Sequence, residues 1–474
     1  MFSPRGVAFV GATETLGKWG FIIFNNLITG GWEGGLYPVN PGREEVLGYK
    51  AYKSVRDVPD DTDLAVITVP AKAVPAAMDD CIARGVKAVV VISAGFKEMG
   101  GDAARTEADM VKKVRDAGIV MAGPNGQGVA FPKSGLYAWM PHFYYPPAGE
   151  VAVISQSGNV QGLMINELID AGVGVSRCVS SGNEADLRMR DYFEYLADDP
   201  ETGVVLSYME GLTDGRRFIE SAKRLAAKKP VVVLKGGKSD YGVSAAGSHT
   251  GALAVDSELF DSACEQAGVI QASTIREASI MAASFVNRPL PKGRRVGIVT
   301  GGGGLGVIAS DLCARAGLTL PEFSKETTEK IAAKMPEWYV PGNPVDLVAG
   351  LNFGIVPPIL DTLMKSGEID ALMLLFIGPR GNRDIEPKNE QTKKMRETWQ
   401  TMQKMFGAFL DMMRKLTEQT GVPIYPVTNF GEGTGEMEKI KFSDSYFMQF
   451  SDIESACSAV AAAAKRAELL KKIG

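Results

Sequence analysis

The chain has 474 residues, 45% of them hydrophobic and 23% charged, with a formal net charge of -5. At roughly 150 residues per domain, this length suits about three globular domains, and the mild acidity offers no electrostatic footing for nucleic acid. Five scattered cysteines, odd in number and without a Cys-x-x-Cys pair, exclude a disulfide framework and a structural zinc site, so each reads as a small buried hydrophobe.

From the N-terminus, Met1-Phe2-Ser3-Pro4-Arg5 runs straight into a strand, so no leader peptide is read there. No apolar run is long enough to cross a membrane, and a soluble cytoplasmic protein is expected. Short apolar strands at 7–10, 64–69 and 86–92 alternate with helical stretches such as 103–117. That alternation predicts a parallel sheet covered by helices on both faces. The first unit closes near Gly123–Gly128, and 133–147, rich in Pro, Tyr and Phe, reads as a connecting segment. A second unit holds strands at 151–155, 174–179, 203–208 and 230–234, and the residues 288–293 have linker composition. A third unit begins with a strand at 295–300 and has another at 372–377. A long helix is predicted at 392–420 and a final one at 452–472.

The first strand leads into Gly11-Ala12-Thr13-Glu14-Thr15-Leu16-Gly17-Lys18. A dinucleotide fold would show Gly-x-Gly-x-x-Gly here and an acidic residue after the second strand. Thr13 stands where the second glycine belongs, and the second strand ends Val39-Asn40-Pro41 without a carboxylate. A nicotinamide-linked dehydrogenase is therefore disfavoured. The loop can still hold phosphate through backbone N–H groups and the helix dipole. Lys18 and Arg43 either add charge there or are ordinary solvated residues.

An internal repeat aligns 151–160 with 296–305 without gaps. Each copy is a strand, a tight turn of small residues and a helix. Any two parallel α/β units look alike to this extent, but two such helix N-termini can also each hold an anion. Only two histidines occur. His142 lies in an aromatic connector, where packing is the better reading. His249 lies in the small-residue loop 242–251, where an imidazole can act as base, metal ligand or covalent phosphate carrier. Glu210 follows the strand at 203–208 at the carboxyl edge of the sheet. There it either orients an imidazole or simply sits in the first turn of a helix.

In this order, these segments resemble the succinyl-CoA synthetases and the ADP-forming acetyl/acyl-CoA synthetases over nearly the whole chain. Gly11-Ala12-Thr13 with Gly17-Lys18 is similar to the family's CoA phosphate turn. Ser93-Ala94-Gly95-Phe96 and Gly123-Pro124-Asn125-Gly126-Gln127-Gly128 are similar to its next two loops. Ser155-Gln156-Ser157-Gly158 resembles the opening of one phosphate-facing helix, and Thr300-Gly301-Gly302-Gly303-Gly304 the other. The most specific matches are Lys235-Gly236-Gly237-Lys238-Ser239 and Ser248-His249-Thr250-Gly251, with Asn343-Pro344-Val345-Asp346-Leu347 in the third unit. The stretch 380–419 has no counterpart in the resemblance.

The resemblance implies an α/β chain: a Rossmann-like CoA-binding domain at 1–130, then two flavodoxin-like parallel-sheet ligase domains at 148–287 and 293–470. It implies CoA contacts from Gly11, Ala12, Thr13, Lys18, Arg43, Val69, Pro70, Ser93 and Ala94. It assigns phosphate or acyl contacts to Asn125, Ser155, Gln156, Ser157, Gly158, Gly301, Gly302 and Gly303, phosphorylation to His249, and contact with it to Glu210. The implied reaction interconverts acyl-CoA, ADP and phosphate with acid, CoA and ATP, through an acyl phosphate and phosphohistidine. No Walker-type loop and no ATP-grasp region are read in this chain. ADP or ATP with Mg²⁺ is therefore expected on an ATP-grasp beta subunit, in an α2β2 assembly. Two departures bear on the acyl pocket. The family usually has Cys at the position of Gly126, and 159–162 carry no bulky side chain, so acetate is not assumed. The alternative from another class is a non-catalytic CoA sensor on the same fold, which would bind CoA without being phosphorylated.

Overall fold

The computed structural model describes residues 1–244, 257–286, 288–347, 354–376, 389–428, 437–442 and 445–473. Within these, 395–408, 410, 437–442 and 445–448 are described by backbone alone. The chain forms two compact units, Met1–Ile169 with Val173–Ala282, and Asp170–Gly172 with Ala283–Gly474.

The first unit is built on two large sheets, beside a short antiparallel pair, Glu45–Val46 with Tyr49–Lys50. One is five-stranded and parallel, in the order Gly35–Val39, Gly6–Val10, Thr62–Ile67, Ala88–Val91, Val120–Ala122. Its central strands are β-branched and buried on both faces; Val7, Phe9, Val66, Ile67 and Val89 are fully enclosed. Each such side chain contributes about 1.5–3 kcal/mol. Winding reverses between Gly6–Val10 and Thr62–Ile67, which opens a crevice at their carboxyl ends.

The other sheet runs Ile270–Ala272, Val231–Lys235, Val204–Met209, Ala148–Ser155, Val175–Ser180, Gly128–Phe131, Leu136–Trp139. Its first five strands are parallel, and its winding reverses between Ala148–Ser155 and Val204–Met209. This is the flavodoxin-like order. The reading of 133–147 as a plain connector is corrected here. Leu136–Trp139 pairs antiparallel with Gly128–Phe131, which pairs antiparallel with Val175–Ser180. The segment is also pinned to the helix Trp19–Thr29, because the buried Asn26 amide donates to Trp139 O at 3.0 Å and Pro141 O at 2.8 Å. The aromatic residues that suggested a loop are a packed seam: Tyr137 and Tyr145 meet edge-on, and Trp139 stacks on Tyr144. His142, in that segment, is exposed and stacks on Phe143.

The second unit is built on a six-stranded sheet, Val345–Asp346, Val296–Thr300, Ala371–Phe376, Ile424–Thr428, Ser445–Phe450, Met437–Phe442, parallel except for its last strand. The long helix predicted at 392–420 spans Glu390–Thr420. Asn389 caps it by accepting the Thr392 N–H at 2.8 Å, a bond that typically contributes about 1 kcal/mol. Met413 and Leu416 pack it onto Ile359, Leu363 and Leu374. Among the described residues no helix is long and apolar enough to cross a membrane.

Candidate functional site

At the first crevice, Gly11 has φ +97° and donates its N–H to Val39 O at 3.1 Å. The helix Trp19–Thr29 starts immediately against it. A Cβ on Gly20 would lie 2.1 Å from Gly11 O, so only glycine permits this approach. Asn40 ties the turn from the next strand by donating to Ala12 O at 2.8 Å. The loop after Thr62–Ile67 closes alongside, with Thr68 N–H on Val10 O at 2.9 Å. Ser93 Oγ donates to Val69 O at 2.5 Å, and Asn125 N–H to Ser93 O at 3.0 Å. The structure thus gathers Gly11, Ala12, Val69, Pro70, Ser93, Ala94 and Asn125 at one sheet edge. Thr13 accepts the Thr15 N–H, and Lys18 is exposed at the start of the helix. Arg43 is paired with Glu14 at 3.1 Å, both partners substantially exposed. Such a pair holds by only about 0–1 kcal/mol, so the guanidinium can turn toward a phosphate at small cost.

The second crevice is built by a hydroxyl and an amide. Ser155 Oγ accepts the Ser157 N–H at 3.1 Å and donates to Ser157 O at 2.5 Å, shaping the turn before the helix Gly158–Asp170. The Gln156 side chain then bridges to the neighbouring strand end. Its Oε1 accepts the N–H groups of Glu210 (2.5 Å) and Gly211 (3.1 Å), while Nε2 donates to Gly211 O at 3.1 Å. Lys235, buried, donates Nζ–H to Glu210 O at 2.8 Å. Burial lowers its pKa, while the Glu210 charge opposes the shift. The Glu210 backbone is therefore clamped on both sides. Beside it the Tyr208 phenol is pushed up to about 12 by burial and by the charge of Glu210. Glu210 Oε2 is buried with no hydrogen-bond partner among the described residues. His249 lies outside the described residues.

In the second unit, Thr300 repeats the role of Ser155. Its Oγ1 accepts the Gly302 N–H at 3.2 Å and donates to Gly302 O at 2.9 Å. Gly301 N–H bonds Leu375 O at 3.0 Å, as Gln156 N–H bonds Tyr208 O at 3.2 Å. The repeat in sequence is thus a repeat in hydrogen bonding. Gly303 opens the helix Gly303–Arg315 beside Asp346, whose Oδ2 would lie 2.8 Å from a Cβ there. Asn343 fixes that motif by accepting the Ile298 N–H at 3.0 Å.

Sequence reasoning missed the loop Ser180-Ser181-Gly182-Asn183-Glu184, through which the two crevices are joined. Ser180 Oγ accepts the Gln127 N–H at 2.9 Å, and Ser181 N–H donates to Ser155 O at 2.8 Å. Asn183 Nδ2 donates to Glu98 (2.7 Å) and Glu107 (2.9 Å), and Glu98 in turn accepts the Gly95 N–H at 2.6 Å. Glu184, at φ +52°, accepts Ser181 Oγ–H at 2.8 Å. An acid among small residues was the only local signal in the sequence.

The same loop explains the departure at Gly126. A Cβ there would fall 2.4 Å from Ser180 O, a backbone atom that cannot swing aside. Gly126→Cys, which restores the residue usual at this position in the resembling family, is expected to destabilise the fold by about 1–3 kcal/mol. Urea melts of the two proteins would show the loss as a lower midpoint at constant slope.

Comparison with known proteins follows the same division. The chain matches models of a CoA binding domain over residues 5–132, a succinyl-CoA ligase like flavodoxin domain over 148–285 and a ligase-CoA domain over 296–377. It is 37% identical to the alpha subunit of acetate–CoA ligase [ADP-forming] II from Pyrococcus furiosus, covering 90% of this chain and 93% of that one. It is 32% identical to 4-hydroxybutyrate–CoA ligase [ADP-forming] from Nitrosopumilus maritimus, over 84% of this chain and 58% of that protein. Acetyl-coenzyme A synthetase 1 of Ca. Korarchaeum cryptofilum, solved with phosphate and ADP, superposes with a TM-score of 0.83 at 29% identity, covering 100% of this chain and 98% of that one.

Proposed function

The chain belongs to the family of ADP-forming acyl-CoA ligases, among their alpha subunits, and from that membership we propose that it carries out the acyl and first phosphoryl transfers, with His249 as the phosphate carrier. An oxygen of inorganic phosphate attacks the thioester carbonyl carbon; the C–O bond forms, the C–S bond breaks and CoA leaves as thiolate, to be protonated. A ring nitrogen of His249 then attacks the acyl phosphate phosphorus, forming P–N as the P–O bond to the acyl group breaks and the carboxylate departs. Transfer to ADP breaks P–N, gives ATP and returns neutral imidazole.

The observation that carries this reading is the Gln156 clamp, which brings the Ser155–Gly158 turn and Glu210 together at one sheet edge. Phosphoryl transfer depends on positioned donors and charge. The N–H groups opening Gly158–Asp170 suit a phosphate oxygen, and Glu210 suits the N–H of an imidazole. Gly301, Gly302 and Gly303 would serve the second phosphate position. CoA is assigned to the crevice of Gly11, Val69 and Ser93. The three domains proposed are 1–130, 148–287 and 293–470. The nucleotide and its Mg²⁺ are assigned to an ATP-grasp beta subunit in an α2β2 enzyme. This fits a relative named as an alpha subunit along 93% of its length. Among the described residues no three His, Cys, Asp or Glu side chains gather as metal ligands, and no step is routed through a metal on this chain. The relatives' ligase names favour catalysis over the CoA-sensor alternative.

The test is to incubate the pure chain with radiolabelled inorganic phosphate and a panel of acyl-CoA thioesters, without nucleotide. Acid-labile, base-stable label on the protein is expected with at least one thioester, which also identifies the acyl group. CoA binding without label from any thioester, even with the beta subunit present, would leave the sensor in its place.

A further inference from the structure

We infer that Asn183 is a positioning residue for CoA: held by the carboxylates of Glu98 and Glu107, it turns Asn125 so that Asn125 offers a carbonyl oxygen to an amide N–H of the pantetheine arm. This rests on the assignment of CoA to the crevice of Gly11, Val69 and Ser93 made above, and it moves Asn125 from the phosphate or acyl group to CoA.

The backbones of the two loops are locked to each other. Asn125, at φ +61°, donates its N–H to Ser93 O at 3.0 Å, which places it in the crevice assigned to CoA. Asn183 N–H bonds Pro124 O at 2.9 Å, and Ala185 N–H bonds Gly123 O at 3.2 Å. A Cβ on Gly182 would lie 2.3 Å from Pro124 O, so the loops meet with no side chain between them. What the backbone leaves open is the direction of the two side-chain amides.

The carboxylates decide it. Asn183 Nδ2 donates to Glu98 Oε2 at 2.7 Å and to the buried Glu107 Oε2 at 2.9 Å. Reversed, Asn183 would set its oxygen against two carboxylate oxygens. Burial opposes the ionisation of Glu98, but Asn183 and the N–H groups of Gly95 and Phe96 bring its carboxyl below the ordinary value. Burial raises that of Glu107, yet a proton on its Oε1 leaves Oε2 able to accept. Asn183 Oδ1 therefore faces Asn125 and accepts its Nδ2–H at 3.2 Å. The Asn125 carbonyl oxygen is left over, with no hydrogen-bond partner among the described residues.

Inorganic phosphate and an acyl carbonyl are both acceptors and want donors. On Asn125 either would meet a carbonyl oxygen with two carboxylates behind it. A neutral N–H donor suits that oxygen, and the pantetheine arm of CoA carries two amide N–H groups.

The experiment titrates CoA into the wild type, Asn125→Gly, Asn183→Ser and the double variant, and measures the phosphate KM of labelling in each. Glycine accepts the positive φ of Asn125 without strain. Each single variant is expected to weaken CoA about fivefold, the effect of one lost hydrogen bond. The double variant should lose no more than either single one, because Asn183 acts through Asn125; a merely structural Asn183 would give additive losses and overturn its role. The phosphate KM should stay within about twofold of wild type. If Asn183→Ser does not fold, Asn125→Gly still decides the ligand: CoA affinity unchanged, or a raised phosphate KM, would overturn the inference. A wild-type chain that binds no CoA would overturn the assignment of the crevice itself.

Discussion

His249→Ala is expected to lose all acid-labile phosphate and to lower overall ATP formation by more than about 10⁴-fold, the order seen when a covalent nucleophile is removed. Splitting the reaction through phosphohistidine lets one imidazole take phosphate from an acyl phosphate and later offer it to a nucleotide. Without it, the two half-reactions share no carrier. The first acyl transfer needs only phosphate and thioester, so CoA release into hydroxylamine-trapped acyl phosphate should survive. CoA affinity should also be unchanged, because the crevice of Gly11, Val69 and Ser93 lies at the edge of a different sheet from the one that carries Glu210. The check is label retained on the protein after base and after acid, beside a thiol assay for released CoA. Label that persists in the alanine variant would move the phosphate to another residue.

Glu210→Gln is expected to slow labelling by about 10²–10⁴-fold, the usual range for a group that orients or charges a catalytic imidazole. Everything about the backbone of Glu210 is fixed: Gln156 accepts its N–H and Lys235 donates to its carbonyl. The carboxylate has one oxygen buried without a partner among the described residues. A buried unpartnered oxygen costs about 1–3 kcal/mol, more when charged. An imidazole N–H is the donor it suits, and accepting it would leave the other ring nitrogen free to attack phosphorus. The amide variant keeps the shape of the side chain but forfeits the charge. It should therefore melt at or above the wild-type temperature while labelling slowly, and a stopped labelling time course beside a thermal melt separates the two. A variant that unfolds would mean that the carboxylate serves packing instead.

The strands were legible because apolar β-branched runs are a local property. Those predicted at 295–300 and 372–377 match Val296–Thr300 and Ala371–Phe376 in the described residues. The final helix predicted at 452–472 is Ile453–Ile473. Misreading 133–147 has an equally local cause: Pro and Tyr density signals a loop, and nothing in four residues announces an antiparallel partner. Leu136–Trp139 is a strand because Gly128–Phe131 supplies its hydrogen bonds and the helix Trp19–Thr29 covers it.

The candidate site divides the same way. Turns such as Gly11–Thr13, Ser155–Gly158 and Thr300–Gly303 announce themselves, since a helix N-terminus after a strand needs small residues next to one another in the chain. The sequence by itself therefore determined the class of fold and the phosphate-type turns, and it put His249 and Glu210 forward as candidates. Only the tertiary structure decided that Arg43 faces Glu14, that Gly126 is crowded by Ser180, and that Ser181 and Asn183 join the two crevices. Those partners lie 29, 26 and 85 residues apart in three of the contacts concerned. Periodicity and spacing report what a residue does to its neighbours in the chain. A hydrogen bond between loops at the carboxyl ends of different strands depends on which strands lie side by side, and that is set by the packing of the whole sheet.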